Sequence, residues 1–347
     1  MKSKKLSEKI ISLIEKEGFK NIKLESVLET KYILRSSGES FRKLLFSFYD
    51  ENGKEFSLRP DLSLVSLIQF IQKKNNLKKK ICYSGQAYRK TYSRNKSIIK
   101  NQIGFEILNS SSKTLDDKEV INNSIKIYKS ISNKKAILTI GNIEIFNKLL
   151  NKLDIPDRWK KRLSRHFWRR KYFEEILKRL ETNSDLNEKV IEIDKKIFKK
   201  MKKLNQNLLI GGRSIKEILQ RFKMKIKDPR TSKGKKNVKI IKEFLKIKSP
   251  ISEADKILNN FFYKYNINLK INKKYFPLYK SKIRNLKIEF STSNIPEVDF
   301  YNGLIFSIKF NSARNSKLFI SGGRYDKLST NLGLKKTSAV GAAVNLT

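Results

Sequence analysis

ICYSGQAYRKTYSRNKSIIKNQIGFEIL, residues 81–108, divides into two apolar-rich arms around a charged centre. Ile81, Tyr83, Ala87 and Tyr88 precede the centre and Ile98, Ile99, Ile103, Phe105 and Ile107 follow it, so β-favouring residues dominate both arms. Residues 92–96 are polar and read as the loop of an antiparallel pair. Side chains two apart in a strand share a face, which points Gln102, Gly104 and Glu106 together towards whatever Arg89 faces on the partner strand. Such a face offers a small zwitterion a guanidinium for its carboxylate, and an amide and a carboxylate for amino or imidazole N–H groups. The same spacing also describes an exposed ribbon with a solvated face, and spacing by itself slightly favours the ribbon.

Segments on either side change the balance. FSFYDENGKEFSLRPDLS (46–63) reads as strand, turn and strand around Asn52-Gly53, ended by Pro60 and followed by helical apolar spacing over 62–71. VDFYNGLIF (298–306) and SGGRYDKL (321–328) follow near the end of the sequence. The Arg of one strand followed by QxGxE on the next resembles motif 2 of class II aminoacyl-tRNA synthetases, and the histidyl branch is the nearest fit. Residues 46–63 resemble that branch's LRP(D/E)-x-T element, with Ser63 where Thr is usual. Residues 298–306 resemble its histidine-binding segment and 321–328 its GGRYD segment. Four such matches in order are more specific than any one alone.

Composition sets wide bounds. A chain of 347 residues can bury a sizeable core in one large domain or two moderate ones. Its formal net charge of +45 would ordinarily point to a polyanion. Lysine is spread over nearly every segment among abundant Asn and Ile, however, which reads as a generic basic surface, with specific nucleic-acid binding not expected. The single cysteine, Cys82, excludes an internal disulfide, and the single histidine, His166, leaves no Cys/His metal cluster. No apolar run approaches the roughly 20 residues of a membrane span. Residues 1–5 are basic, yet Glu8, Lys9, Glu15 and Lys16 interrupt any apolar core of a signal peptide, and the chain reads as cytoplasmic.

In chain order, Ser7 is a candidate cap for a helix that Gly18 ends. Residues 21–29 read as extended, where the resembled family places the motif 1 dimer interface. Asp61 precedes the helical spacing of 62–71 and reads as either its N-cap or a ligand contact. A helix over 116–131, a strand over 136–141 and a helix over 142–151 follow. From about 151 to 249 the sequence is Lys-rich and helix-forming. Within it RWKKRLSRHFWRRKYF (158–173) interleaves cations with aromatics as single-strand binders do. Helical spacing explains the same run by an apolar face of Trp159, Leu163, Phe167 and Trp168 and is preferred. Gly211-Gly212 reads as a turn. A helix over 251–265 and strands over 285–290, 304–310 and 318–321 restore the sheet, and Tyr325 opens a helix.

The expected fold is therefore α+β: a class II synthetase-like antiparallel sheet flanked by helices, built from residues 1–150 and 250–347, with a helical insertion at 151–249. Three departures bear on activity. Pro296 stands where the resembled synthetases carry an Arg that stabilises charge during histidine activation, with Glu297 beside it. AVGAAV (339–344) resembles the start of motif 3 but runs into Asn345-Leu346-Thr347 without the Arg that clamps ATP. No anticodon-binding domain follows in the sequence.

An amino-acid pocket without its nucleotide-handling cations resembles the ATP phosphoribosyltransferase regulatory subunit family. That resemblance implies a protein with no catalytic residues, cofactor or metal of its own. It implies a dimer that joins a short-form ATP phosphoribosyltransferase catalytic subunit in a hetero-octamer, for the first step of histidine biosynthesis, and transmits inhibition by histidine. Carried onto this sequence, Arg89 would pair with the histidine carboxylate and Asp61, Ser63 and Gln102 would receive its amino group. Glu106 and Tyr301 would address the imidazole, and Tyr325 would line the cavity. A divergent or truncated histidyl-tRNA synthetase is the alternative reading.

Overall fold

The computed structural model describes residues 2–73, 77–91, 97–132, 134–182, 188–210, 213–226, 233–278, 283–294, 300–311 and 317–346. The charged loop at 92–96, Gly211-Gly212 and the Pro296-Glu297 departure lie outside these residues.

The 81–108 stretch forms the expected hairpin, with strands Lys79–Tyr88 and Ile99–Leu108 paired antiparallel so that Tyr83 stands opposite Gly104 and Ile81 opposite Glu106. Arg89 continues the pairing through its amide to the carbonyl of Ile98, which puts it on the face shared by Gln102, Gly104 and Glu106. Among the described residues nine strands make up the main sheet. In order across it they are Lys20–Asn21, Lys79–Tyr88, Ile99–Leu108, Ala339–Leu346, Lys317–Arg324, Leu304–Asn311, Ala136–Asn142, Leu286–Ser291 and Lys248–Pro250. Most neighbours are antiparallel. The expectation of an antiparallel sheet is modified at two places, where Lys20–Asn21 runs parallel to Lys79–Tyr88 and Ala136–Asn142 parallel to Leu286–Ser291. In both cases a helix lies between the paired strands in sequence, as parallel pairing requires.

Alternation along the hairpin separates two apolar clusters. Cys82, Ile103, Phe105 and Ile107 join Ile10, Ile14 and Phe19 with the apolar sides of helices Lys113–Ile131 and Ile143–Lys152. Ile81, Tyr83 and Leu108 point the other way, onto Leu62, Val65 and Phe70 of helix Leu62–Gln72 and onto Phe300 and Tyr325. Gln102, Gly104 and Glu106 belong to this second face by the same period of two. A smaller sheet of Val27–Glu29, Glu55–Leu58 and Ser47–Tyr49 borders it. Its hairpin turns where the Asp50 carboxylate accepts from the amides of Asn52 and Lys54 and Gly53 takes a φ of 72°.

Residues 151–249 contain helices Asp157–His166, Arg170–Thr182, Glu188–Met201, Ile215–Ile226 and Gly234–Phe244, with a small hairpin of Leu209–Ile210 and Arg213–Ser214. Trp159, Leu163, Phe167, Phe173 and Phe244 sink into the main core, so helices Asp157–His166, Arg170–Thr182 and Gly234–Phe244 share their apolar interior with the sheet. Trp168, expected on that same face, is half-buried and borders a cleft. The strand Lys248–Pro250 already belongs to the main sheet. At the start of the chain the first helix spans Lys2–Lys16, earlier than the Ser7 cap proposed by sequence, and the last helix spans Lys327–Asn331, beginning after Tyr325.

Candidate functional site

Above the hairpin, the end of helix Leu62–Gln72 and the strands Leu304–Asn311, Lys317–Arg324 and Ala339–Leu346 enclose a cavity of about 120 Å3. Asp61, Ser63, Arg89, Gln102 and Tyr301, five of the side chains picked from sequence, line it. Asp61 takes both of its proposed roles at once. One carboxylate oxygen caps helix Leu62–Gln72 by accepting from the Leu64 amide at 3.0 Å, and the other lies 3.5 Å from an Arg89 Nη2. Arg89 Nε donates to the carbonyl of Pro60 at 2.7 Å and the guanidinium lies over the Phe41 ring. This fixes the fork in place while leaving it next to the cavity. On the opposite side, the Gln102 amide donates to Asn345 Oδ1 at 2.6 Å, which orients its carbonyl oxygen.

Glu106 and Tyr325 sit beneath this layer and do not border the cavity in this conformation. Glu106 is completely buried. Tyr83 donates its hydroxyl to one Glu106 oxygen at 2.6 Å, and Ser66 donates to the other. Burial pushes the Glu106 carboxyl up to about 7, with the hydrogen bonds from Ser66 and Tyr83 acting the other way. Tyr325, also fully buried, packs edge-on against Phe300 and Tyr301. Its hydroxyl lacks a partner of good geometry but feels the Glu106 charge, which, after burial itself, holds the phenol in its neutral form.

Between the two layers lies Tyr83, which sequence reading passed over as a strand-former. Its ring occupies the space above Gly104, where a Cβ would come within 2.3 Å of a ring carbon. Tyr83 lines the cavity and approaches Ser63 Oγ at 3.4 Å. Because its proton is directed at Glu106, the phenol oxygen offers an acceptor on its other side, and Glu106 can act on a ligand only through it. An aromatic residue directly opposite a glycine in the predicted hairpin was the available signal. Lys100, Lys309, Ser307, Ser321 and Asn345 also line the cavity. They were not separable from ordinary strand residues until the order of strands was known. Among the described residues no group of three or more His, Cys, Asp or Glu side chains is placed to hold a metal ion, and no helix is long and apolar enough to cross a membrane.

A second glycine contact explains the LRPD run. Arg59 is buried and donates to the carbonyls of Gln86, Leu24 and Glu25, passing over Gly85, where a Cβ would lie 2.6 Å from the guanidinium. It ties the small sheet to the hairpin and thereby positions Pro60 and Asp61.

Comparison with known proteins agrees with this architecture. The chain is 24% identical over 334 residues to an ATP phosphoribosyltransferase regulatory subunit of Rhizobium rhizogenes, covering 90% of this chain and 87% of that protein. It is 25% identical over 322 residues to the protein of the same name from Brucella anthropi, covering 86% and 84%. Among solved structures, it resembles an ATP phosphoribosyltransferase regulatory subunit/histidyl-tRNA synthetase from Bacillus halodurans, with a TM-score of 0.61 and 17% identity over 99% of this chain and 76% of that one. It also resembles a chain of the ATP phosphoribosyl transferase complex from Thermotoga maritima, with a TM-score of 0.55 and 17% identity over 99% and 97%. The family model described as histidyl-tRNA synthetase matches residues 1–347, and the chain belongs to that family.

Proposed function

We infer that this chain is the non-catalytic regulatory subunit of ATP phosphoribosyltransferase and that its cavity senses histidine. The observation that carries the sensing role is the pairing of a fixed guanidinium–carboxylate couple, Arg89 and Asp61, with a cavity of only about 120 Å3. Pockets for drug-sized ligands run to roughly 300–1,000 Å3, so this one suits a free amino acid better than a nucleoside triphosphate. Arg89 would take the carboxylate, assisted by the positive field of Lys100 and Lys309. Asp61, Ser63 and the carbonyl oxygen of Gln102 would receive the ammonium group. Tyr301 would flank the imidazole, and Tyr83, backed by Glu106, would accept from one of its N–H groups.

In this reading the chain dimerises and joins short-form catalytic subunits in a cytoplasmic hetero-octamer. Histidine inhibits by binding one quaternary state better than another, and a typical coupling of about 1–3 kcal/mol would suffice. The names of the relatives support the regulatory role; the cavity supports the effector. The test is reconstitution. Mixed with a short-form catalytic subunit, the chain should raise the rate of ATP condensation with phosphoribosyl pyrophosphate, and histidine should lower it again. Histidine-dependent exchange of pyrophosphate into ATP by the chain alone would instead make it a divergent synthetase. Calorimetry with histidine tests the pocket separately from the assembly.

A further inference from the structure

Between the helical segment and the core runs a second, larger cleft of about 1320 Å3, which shares Phe300 and Tyr301 with the walls of the smaller cavity and extends away from it. Its carboxylates are already committed. Glu39 and Glu55 both engage Arg42, and Glu29 is shared by Lys31 and Lys54. Glu217 is used in a capping box: its carboxylate accepts from the Ser214 amide at 3.1 Å while Ser214 Oγ accepts from the Glu217 amide at 3.3 Å.

Of the four cleft arginines that form no ion pair with a carboxylate among the described residues, Arg35 donates to the carbonyl of Leu332, which leaves three. Arg165 comes from the end of helix Asp157–His166, Arg213 from the small hairpin and Arg221 from helix Ile215–Ile226. All three line the same cleft. Burial first, and Arg165 next, disfavour the charged form of Arg213, and burial, then Arg213 and Arg165, do the same at Arg221; Glu217, and at Arg213 also Glu39, offset this only in part. Arg165 reaches across the cleft to the core, where its Nη2 lies 3.2 Å from the place a Cβ on Gly38 would occupy. Like charges held together in a concave, partly desolvated site are an arrangement that an anion relieves.

We propose that Arg165, Arg213 and Arg221 form a binding site for a small molecule bearing two or more phosphates. Guanidinium forks match phosphate oxygens in pairs, and three of them from separate elements suit a compact, multiply charged group. A nucleic acid would call for cations strung along a path that follows its backbone. Here the three arginines come from separate elements that wall one cleft. Trp168, half-buried at the same cleft, provides a flat apolar surface beside them and an optical reporter.

The probe is inorganic tripolyphosphate, titrated into the full-length protein at about 0.15 M salt and followed by calorimetry and tryptophan fluorescence. One ion should bind per chain. Arg165→Gln and Arg221→Gln, both at exposed positions that folding tolerates, should each weaken binding about tenfold, as expected for loss of a charge-assisted contact. Lys199→Gln removes the same charge from an exposed site outside the cleft and should leave the affinity unchanged. Equal weakening by all three variants would mean attraction by bulk charge and would overturn the site. So would displacement of tripolyphosphate by a short RNA at equal phosphate concentration, which would make the cleft a nucleic-acid surface. Arg165 and Arg221 do not line the smaller cavity, so histidine calorimetry on the same variants reports on that cavity separately.

Discussion

Burial and hydrogen bonding act in opposite directions on Glu106, and burial dominates, so the folded carboxyl holds its proton to about pH 7, against 4.5 in an unfolded chain. The sign follows from proton counts. Between pH 4.5 and 7 the folded state keeps a proton that the unfolded state has lost, so stability falls as pH rises through this window and stays lower above it. The full effect is roughly 3 kcal/mol. His166 contributes with the opposite slope, since burial lowers its pKa to about 4 and keeps it neutral while the unfolded imidazole still charges. Urea unfolding of Glu106→Gln alongside the wild type isolates the carboxyl: the stability difference should change between pH 4.5 and 7 and be flat outside it. At the cavity surface, Arg89→Lys keeps the charge but loses the fork and the bond to Pro60, and should weaken histidine binding about tenfold by calorimetry. An unaltered affinity there would remove Arg89 from the site. The sequence displayed Asp61, Ser63, Arg89, Gln102 and Tyr301 by motif and period, and these share the cavity. It could not display the depth of Glu106, because a period of two specifies the face of a strand and is silent on which neighbour covers it.

The elements around the cavity are held by polar contacts that each act on more than one of them. Arg324, of the GGRYD segment, points away from the cavity into a buried network: it donates to Asp117 at 2.9 Å, to Asp326 at 3.0 Å and to the carbonyl of Lys113 at 2.9 Å. Asp326 in turn accepts from the Ala339 amide at 2.9 Å. Strand Lys317–Arg324, strand Ala339–Leu346 and helix Lys113–Ile131 are thereby joined at one point. Arg324→Met should destabilise the protein by about 3 kcal/mol, the low end for breaking a desolvated pair, since half-buried Asp117 loses its cation while Asp326 keeps Lys113 at 2.8 Å. Chemical denaturation measures this, and a loss below about 1 kcal/mol would show the network to be solvated instead. Elements with strong local periodicity, such as the hairpin, helix Leu62–Gln72 and helix Lys113–Ile131, were legible within a few residues. The parallel pairing of Ala136–Asn142 with Leu286–Ser291 was not, because partners so distant in sequence leave no local pattern. Likewise, Asp61 read as either cap or ligand contact, and the fold allows both by giving each carboxylate oxygen a different neighbour.

For the molecule as a whole, 78 Lys and Arg against 33 Asp and Glu set two electrostatic effects against each other. Local ion pairs such as Lys242–Glu181 at 3.0 Å and Lys233–Asp154 at 2.8 Å are exposed, and pairs of this kind contribute about 0–1 kcal/mol each. Against them stands repulsion among the surplus cations, which acts over distances beyond a single contact and opposes compactness. Salt screens the longer-range term first, since the Debye length is about 10 Å at 0.1 M. Raising sodium chloride from about 0.02 to about 0.5 M should therefore increase the melting temperature, by roughly 1–2 °C for each kcal/mol of repulsion relieved. A fall in melting temperature over that range would mean that the local pairs outweigh the global charge. Docking to the catalytic subunit should answer to salt in the other direction if it is steered by this charge, with slower association at higher ionic strength. Measuring melting and association in the same salt series separates the two: a basic surface used for assembly loses on-rate while the free subunit gains stability, whereas a surface that is merely basic shows only the gain.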